Sequence, residues 1–430
     1  MEDIEKDVIE LAGELIDFLD NSPTAFHAGS RICDELKEVG FEELNEGQPW
    51  QIQSGKAYYV QRSTSGIVAF RVGTLPPADA GYRIIAAHTD SPSLKIKLES
   101  EIVENGVAKV GVEVYGGPIL NTWLDRNLGI AGRVMVRDEK GSLPRLVTIA
   151  APVAVIPNLA IHLNRDVNKG VELNKQVHLP AILGSVEDDE NILKNLVADE
   201  LDLEVDQLGE MDLFLFDTNK ACLNGIDESL ISSARLDNLA MCHAVLKALC
   251  DCDESESTSV GVFFDHEEIG SRSPQGADSD FVRTVLERIA LIDGGVEGGY
   301  RSLANSLMIS GDGAHALHPS YQDRYDLDHA PTINSGPVIK YNANLRYSTT
   351  AETAEMFSVM CESMQIPYQK AMNRSDIPSG STVGPVCAAN LGVKSVDVGC
   401  AMWGMHSIRE TAGIYDHYYM TQVFTSFFSE

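Results

Sequence analysis

The chain has 430 residues, of which 64 are acidic and 33 are basic, so its formal net charge is −31. A protein with this charge repels nucleic acid and anionic membranes, and neither is an expected partner. The eight scattered cysteines form no repeated C-x-x-C pairs, the N-terminus lacks an apolar signal core, and no segment reaches the ~18 apolar residues of a membrane span, which together predict a soluble, cytoplasmic protein.

The N-terminal region predicts two helices followed by strands. Apolar residues recur at helical spacing over residues 4–20, and a second helix ends at Val39, before Gly40. The runs AYYVQ, GIVAFRV and YRIIAAH then predict strands, and the last of these leads into the polar cluster HTDSP, which begins at His88.

From about Ser91 to Ala234 the pattern changes. The stretches SLKIKLE and KVGVEVY alternate apolar and polar residues with period two, which is typical of strands with one solvated face. Because further short strands follow, we predict that residues 92–234 form an inserted β-rich domain.

After Arg235 strands and helices alternate again. A helix is predicted from Asn238 to Leu249, and the strand VGVFF then enters the cluster DHEEIG. Later strands and helices continue the alternation, which favours an α/β layered fold built from residues 1–91 and 235–430.

Five polar clusters stand at the ends of these predicted elements, four after apolar strands and one at the start of a helix. In open α/β sheets ligands gather outside the carboxyl ends of strands, so we expect the clusters to converge at one edge. They are His88-Thr89-Asp90, Arg235-Leu236-Asp237-Asn238, Asp265-His266-Glu267-Glu268, Gly311-Asp312-Gly313 and Met405-His406-Ser407.

The clusters contain a set of metal-binding side chains. Mixed imidazole and carboxylate ligands suit zinc, cobalt or manganese better than calcium or magnesium. Five side chains can hold two metal ions if one carboxylate bridges them, and two ions ~3.5–4 Å apart can share and activate a water molecule. The predicted ligands are His88 and Asp312 for one ion, Glu268 and His406 for the other, and Asp237 as the bridge.

A site of this kind also needs a base that is not a ligand. Glu267 and Glu268 are adjacent, so one can bind metal while the other faces the water. We assign Glu267 as the general base. Asp90 lies two residues after His88 and is predicted to orient its imidazole.

Each of these residues also fits an ordinary structural role. His88 could end a strand with a backbone hydrogen bond, Asp237 could cap the helix that follows it, and Asp312 could shape a turn. No short metal signature such as H-E-x-x-H is present, so the prediction depends on the joint pattern.

The sequence resembles the aspartyl aminopeptidase family, whose eukaryotic relatives include vacuolar aminopeptidase I. The resemblance covers nearly the whole chain in the family's order. The segments that show it are NSPTAFHA, HTDSPSLKIK, LNTWLDRNLGIAGRV, AIHLNRDVN, NKQVHLPAILG, ARLDNLAMCHAVLKAL, FDHEEIGSRSPQGA, GDGAHALHPSY, GPVIKYNANLRY, PSGSTVGPV and MHSIRE.

The resemblance implies a three-layer αβα di-metal peptidase domain with an inserted dimerisation domain. It implies the same five ligands, Glu267 as the base and Asp90 as the carboxylate supporting His88. It further implies a tetrahedral homododecamer built from dimers, in which His162 reaches a neighbouring subunit's active site. Gly313 and Asn127 depart from the residues usual in the family, which affects fine geometry only.

The substrate preference is left open between acidic and neutral N-terminal residues. Lys340 lies in the matching segment GPVIKYN, and a cation in the first pocket would favour Asp or Glu by charge-assisted hydrogen bonds. His315 and His318 are expected to line the site, since five ligands already suffice.

Two other functions remain possible from the sequence. A di-metal deacylase acting on N-acyl amino acids could share this ligand order and differ in its pocket. A metal-binding cage or adaptor without catalysis would require the loss of a ligand or of the base, and all six residues are present.

Overall fold

The computed structural model describes residues 2–139, 141–186, 191–291 and 294–430. Contacts within the chain divide it into two compact units. The first consists of Met1–Asp90, Ala221–Met405 and Glu410–Glu430, and the second of Ser91–Lys220 and His406–Arg409.

The helices and strands alternate in the first unit, and strands dominate the second. The α-helices are α1 (Glu2–Asp20), α2 (Ala25–Glu38), α3 (Pro77–Ala80), α4 (Ile192–Leu201), α5 (Leu236–Asp251), α6 (Phe281–Leu291), α7 (Gly295–Ala304), α8 (Ala351–Ser363), α9 (Val383–Leu391) and α10 (Ile414–Ser429). The strands are β1 (Glu42–Glu43), β2 (Ala57–Arg62), β3 (Gly66–Arg71), β4 (Tyr82–His88), β5 (Ser93–Glu104), β6 (Val107–Tyr115), β7 (Leu128–Asp138), β8 (Gly141–Ala154), β9 (Ala181–Ser185), β10 (Leu208–Asp217), β11 (Cys222–Asn224), β12 (Leu230–Ser233), β13 (Thr258–Phe264), β14 (Leu307–Gly311), β15 (Ala314–His315), β16 (Val338–Lys340), β17 (Gln369–Ala371), β18 (Lys394–Gly399), β19 (Ala401–Trp403) and β20 (Glu410–Gly413).

A mixed sheet forms the centre of the first unit. Its strands, within the described residues, stand in the order β1-β2-β3-β13-β4-β14-β18-β16-β17. Strands β13, β4, β14 and β18 are parallel to one another, whereas β3 runs antiparallel to β13. The carboxyl ends of four neighbouring strands therefore lie at the same edge of the sheet.

Both faces of this sheet are covered by helices. In β4, Ile84 and Ala86 join a core that includes α6 and α9, whereas Ile85 and Ala87 join a core that includes α5 and α10. Successive side chains of a strand point to opposite faces, so a strand buried on both sides reads as a continuous apolar run. The predicted α/β layered fold is confirmed.

The first unit contains a second, smaller sheet, ordered β11-β12-β20-β19-β15. Strand β12 pairs antiparallel with β20, with Ile231 opposite Ala412. This pairing holds residues 221–234 in the first unit, whereas the sequence analysis assigned them to the inserted domain. Residues His406–Arg409 group with the second unit, although the sequence predicted that they belong to the peptidase domain.

The second unit is built around a six-stranded sheet, ordered β8-β7-β10-β5-β6-β9 among its described residues. One face buries residues such as Leu94, Val110 and Val112 together with Val197 of α4. Strand β5 alternates between buried and more exposed positions over its first half, as its sequence predicts. The role of residues 92–234 in dimerisation stays a prediction.

No α-helix in the described parts of the chain combines the length and apolar character needed to cross a bilayer.

Candidate metal centre

The centre lies where the strands of the large sheet end. His88 is the last residue of β4 and lies opposite Phe264, the last residue of β13. Asp312 follows β14, which pairs with β4 on its other side. Asp237 lies in the first turn of α5. Parallel strands thus bring side chains that are remote in sequence to one edge.

Three of the predicted ligands form a buried group. His88, Asp237 and Asp312 each offer one ligand atom, and these atoms all lie within 4.8 Å of one another. His88 Nε2 is 3.7 Å from Asp237 Oδ1. Because all three residues are buried, their charges are poorly screened by water.

The two glutamates lie in a short 3₁₀ turn directly after β13. His88, Glu267 and Glu268 also bring one ligand atom each to within 4.8 Å of one another. The structure therefore brings together four of the five predicted ligands and the predicted base within the first unit.

Asp90 connects the histidine to this turn. Its carboxylate accepts hydrogen bonds from the backbone N–H groups of Glu267, at 3.0 Å, and Glu268, at 3.1 Å. His88 Nδ1 lies 3.0 Å from the Asp90 carbonyl oxygen and 3.3 Å from its Oδ1. The sequence predicted the contact with the imidazole but gave no signal for the two backbone contacts.

The electrostatics of the centre reflect burial and crowding of carboxylates. Burial, together with Asp312, Asp90 and Asp237, raises the pKa of Glu267 to about 7, against the opposing effect of His88. Burial also raises the pKa of Asp312. Burial opposes protonation of His88, but Asp90 and the other surrounding carboxylates raise its pKa well above the usual value.

These properties fit divalent cations. A cluster of buried carboxylates with raised pKa values lacks positive charge, and a metal ion supplies it while displacing the protons. The His88 imidazole is oriented through its Nδ1 by Asp90, the arrangement usual for a metal-bound histidine. Imidazole together with carboxylate oxygen is a donor set suited to zinc.

His406 lies in the second unit. It has a left-handed backbone, with φ of 68°. Its Nδ1 is 3.1 Å from the carbonyl oxygen of Gly117, and its own carbonyl accepts a hydrogen bond from Ile119 N. Its role as a ligand stays a prediction.

Lys340, predicted as the cation of the substrate pocket, is almost fully buried. Its Nζ donates to the carbonyl oxygens of Asp312 and Gly313, both at 3.1 Å, and lies 3.8 Å from Asp312 Oδ2. The lysine therefore supports the turn that holds Asp312 in addition to facing a cavity.

That cavity has a volume of about 500 Å³. Lys340, His315 and His318 all line it, and their part in substrate binding stays a prediction. Tyr347 also lines it, with its ring centroid 5.0 Å from Lys340 Nζ. The sequence analysis missed Tyr347 because an aromatic residue after a strand has no distinctive spacing.

Two arginines complete the positive lining of the cavity. Arg324 and Arg374 both contribute to its wall, and neither was singled out from the sequence. Arg374 pairs with Asp376, at 2.8 Å, and so is partly neutralised. Arg324 Nε also lies 3.6 Å from Asp323 Oδ2, and Asp326 belongs to the lining, so the positive charge of the cavity is partly balanced.

His162 is exposed and belongs to the second unit. It lies in the connection between β8 and β9, flanked by the exposed side chains of Ile161 and Leu163. Its predicted action in a neighbouring subunit stays a prediction.

The comparisons with known proteins identify the family of the chain. The family profile described as "Aminopeptidase I zinc metalloprotease (M18)" matches residues 18–428. A probable M18 family aminopeptidase 2 of Clostridium novyi is 44% identical, with 99% of this chain and 100% of the relative covered.

Solved structures support the same assignment. Ape4, in a complex with Nbr1, is 36% identical with a TM-score of 0.96, covering 98% of this chain and 86% of that chain. The S. cerevisiae mApe1 dodecamer is 27% identical with a TM-score of 0.84, covering 97% of this chain and 96% of that chain. The chain therefore belongs to the M18 family of zinc aminopeptidases, as its resemblance to the aspartyl aminopeptidases predicted.

Proposed function

We propose that the chain removes N-terminal Asp or Glu from peptides, using two divalent metal ions and Glu267 as the general base. The observation on which this depends is the buried group of His88, Asp237 and Asp312 beside the glutamate pair. In this proposal His88 and Asp312 hold one ion, Glu268 and His406 hold the other, and Asp237 bridges them.

Zinc is the proposed metal, because the family is one of zinc metalloproteases and the donor set is mixed. Cobalt and manganese fit the same donors. Two such ions, when bound, would lower the pKa of a shared water and stabilise the oxyanion that develops on the substrate.

Glu267 performs the proton transfers in this proposal. Its carboxylate takes a proton from the attacking water and passes it to the nitrogen of the departing amine. Its position supports this, since Glu267 brings a carboxylate oxygen within 4.8 Å of the ligand atoms of His88 and Glu268. Asp90 fixes the turn through the Glu267 and Glu268 N–H groups.

The cation-lined cavity supports the preference for acidic residues. A carboxylate side chain entering it would meet Lys340 and find donors for charge-assisted hydrogen bonds. A neutral side chain would offer no carboxylate to the lysine and would gain no charge-assisted hydrogen bond there.

We also propose self-association into a dodecamer built from dimers, with peptides as substrates. The dodecameric S. cerevisiae relative supports this. Exposed apolar side chains in the β8–β9 connection add support, because such residues commonly mark interfaces. They are Leu159, Ile161, Leu163 and Val177.

The base assignment is tested by Glu267→Gln. We expect kcat to fall by about 10²–10⁴-fold, because the amide cannot accept the proton, while metal content stays unchanged. Steady-state kinetics and elemental analysis measure the two quantities. Glu297→Gln, at an exposed position of α7, is the control and should keep wild-type kcat. Near wild-type turnover in Glu267→Gln would show that the base is misassigned.

The specificity is tested with aspartyl, glutamyl, leucyl and N-acetyl-aspartyl substrates, on apo protein reconstituted in turn with zinc, cobalt and manganese. We expect the aspartyl and glutamyl substrates to have the highest kcat/KM. We expect Lys340→Met to lower the ratio of aspartyl to leucyl kcat/KM by about 10–100-fold, because one charge-assisted contact is lost.

The ratio of aspartyl to leucyl kcat/KM is measured on one variant. Any general loss of activity caused by the buried substitution therefore cancels. An unchanged ratio in Lys340→Met would remove that residue from the specificity pocket. Faster hydrolysis of a leucyl substrate by the wild type would indicate a neutral preference. Turnover of the N-acetyl compound alone would indicate a deacylase.

A further inference from the structure

We propose that Ser65 is a positioning residue that joins the two turns of the catalytic edge; this inference rests on the proposed function. Ser65 directly precedes β3 and is fully buried. Because β3 is antiparallel to β13 and β13 is parallel to β4, the start of β3 lies beside the carboxyl ends of both. A side chain at this point can therefore reach both turns.

The hydroxyl of Ser65 contacts the turn that contains the glutamates. Ser65 Oγ donates to Asp265 Oδ2 at 2.5 Å, and both residues are buried. The other oxygen of that carboxylate, Oδ1, accepts the backbone N–H of His266 at 2.8 Å. Asp265 thus transmits the position of Ser65 to the first residue of the turn.

The backbone of Ser65 contacts the other turn. Its carbonyl oxygen accepts a hydrogen bond from Thr89 Oγ1 at 3.2 Å. Thr89 lies between His88 and Asp90, so this bond restrains the segment that holds both residues. Thr89 also binds the Phe264 carbonyl through its N–H and its hydroxyl, which ties the ends of β4 and β13 together.

These contacts close a ring. Ser65 binds Asp265 and Thr89, and Asp90, the residue after Thr89, binds the N–H groups of Glu267 and Glu268. Hydrogen bonds to buried carboxylates are stronger than those between neutral groups. Removal of the Ser65 hydroxyl would leave Asp265 Oδ2 buried without this donor, and the turn would relax.

The ring has a consequence for catalysis. Glu267 must hold its carboxylate where it can both take and deliver a proton, and small displacements of such groups reduce the rate strongly. Ser65 Oγ contacts Asp265, two residues before Glu267, so its effect passes through Asp265 and the turn.

The test compares Ser65→Ala with Ser395→Ala, which removes a buried hydroxyl from β18 of the same sheet. We expect Ser65→Ala to lower kcat by about 10–100-fold, the usual effect of removing a group that orients an active-site residue, with KM within about twofold of wild type. Hydrogen exchange followed by mass spectrometry should become faster over residues 265–271. Metal content should equal that of Ser395→Ala, and Ser65→Ala should lower Tm more than Ser395→Ala, because only Ser65→Ala removes a hydrogen bond to a buried carboxylate.

Wild-type kcat and exchange in Ser65→Ala would overturn the proposal, as would equal changes in Ser395→Ala. In an active enzyme, either change without the other would also overturn it. If Ser65→Ala does not fold, Asp265→Asn weakens the same contact by replacing the charged acceptor with a neutral amide, and it is judged by the same criteria. If the wild type hydrolyses no aminoacyl substrate, the proposed function fails, and the exchange comparison alone decides the role of Ser65.

Discussion

The two units bury their main sheets in different ways. Every residue of β13 in the first unit is buried, because helices cover both faces of its sheet. In the second unit the strands bury one face, and β8 begins with five consecutive exposed residues. The first sheet is thus closed to solvent on both sides, whereas the second leaves much of one face open.

This difference in sheet burial explains which unit can hold buried, closely spaced ligand side chains. Strands fixed on both faces hold the residues at their ends rigidly, so carboxylates such as Asp312 can be kept buried and close to His88. A sheet with an open face has surface left for a partner. The connection between β8 and β9 also leaves surface available to a partner. It contains His162 and its exposed apolar neighbours.

The largest expected effect tests whether the second unit takes part in catalysis. His162→Ala should lower kcat/KM by on the order of 100-fold, the cost of removing one donor to the transition state, while metal content stays constant. Steady-state kinetics on the assembled protein measure the change.

The control is His178→Ala, another exposed histidine of the same connection, whose Nδ1 accepts the N–H of Asn174. This variant should keep wild-type kinetics. If His162→Ala also keeps them, the second unit contributes no residue to a shared active site.

Acid should act mainly on the first unit, because that unit buries titratable groups in its core. His243 Nδ1 lies 3.0 Å from His417 Nε2, and both residues are buried between α5 and α10. Burial lowers the pKa of His417 to about 4 and the pKa of His243 well below its usual value.

At His417 the unfolded chain therefore binds more protons than the folded chain between pH 6.5 and 4, and the stability contributed by neutral His417 is lost as the pH falls through this range. We expect a loss of about 2 kcal/mol between pH 7 and 5 from His417. Buried carboxyls with raised pKa, such as Asp416 at about 7, act in the opposite direction.

The measurement is therefore a difference between variants. Unfolding followed by hydrogen exchange at both pH values should show a smaller acid loss in His417→Gln than in the wild type, confined to the first unit. His178→Gln should behave as the wild type. Equal acid loss in all three proteins would contradict the assignment to the histidine pair.

The smallest expected effect is on the free energy of unfolding, and it compares the same Val→Ala substitution at a buried strand position and at an exposed one. Val262 in β13 is fully buried, whereas Val103 in β5 is 42% exposed. We expect Val262→Ala to lower the free energy of unfolding by about 2 kcal/mol. Val103→Ala should cost less than about 1 kcal/mol. Denaturant unfolding measures both, and an equal cost for Val103→Ala would show that a partner covers this face in solution.

Much of the fold could be predicted from the sequence. The uninterrupted apolar run of β13 and the alternating pattern of β5 indicated buried and half-solvated sheets, and both are observed. The boundary between residues 220 and 221 could not be predicted, and the sequence placed it at residue 235 instead, because the pairing of β12 with β20 joins distant segments and leaves no local signal.

The sequence also predicted which polar residues stand at the strand ends. It did not predict the hydrogen-bond partners and cavity residues around them. The backbone contacts of Asp90, the carbonyl contacts of Lys340 and the cavity positions of Tyr347 and Arg324 involve partners distant in sequence. Nothing in the spacing of these residues distinguishes them from surface or core positions.

The sequence by itself determined the strand periods, the helices and the identity of the side chains that could bind metal, since these depend on local pattern and chemistry. Only the tertiary structure decided which of those side chains meet. The parallel register of β4 and β14, together with the packing of α5 on the sheet, brings His88, Asp237 and Asp312 within 4.8 Å of one another. A register is set by long-range packing of both sheet faces, and that packing is not encoded in any one segment.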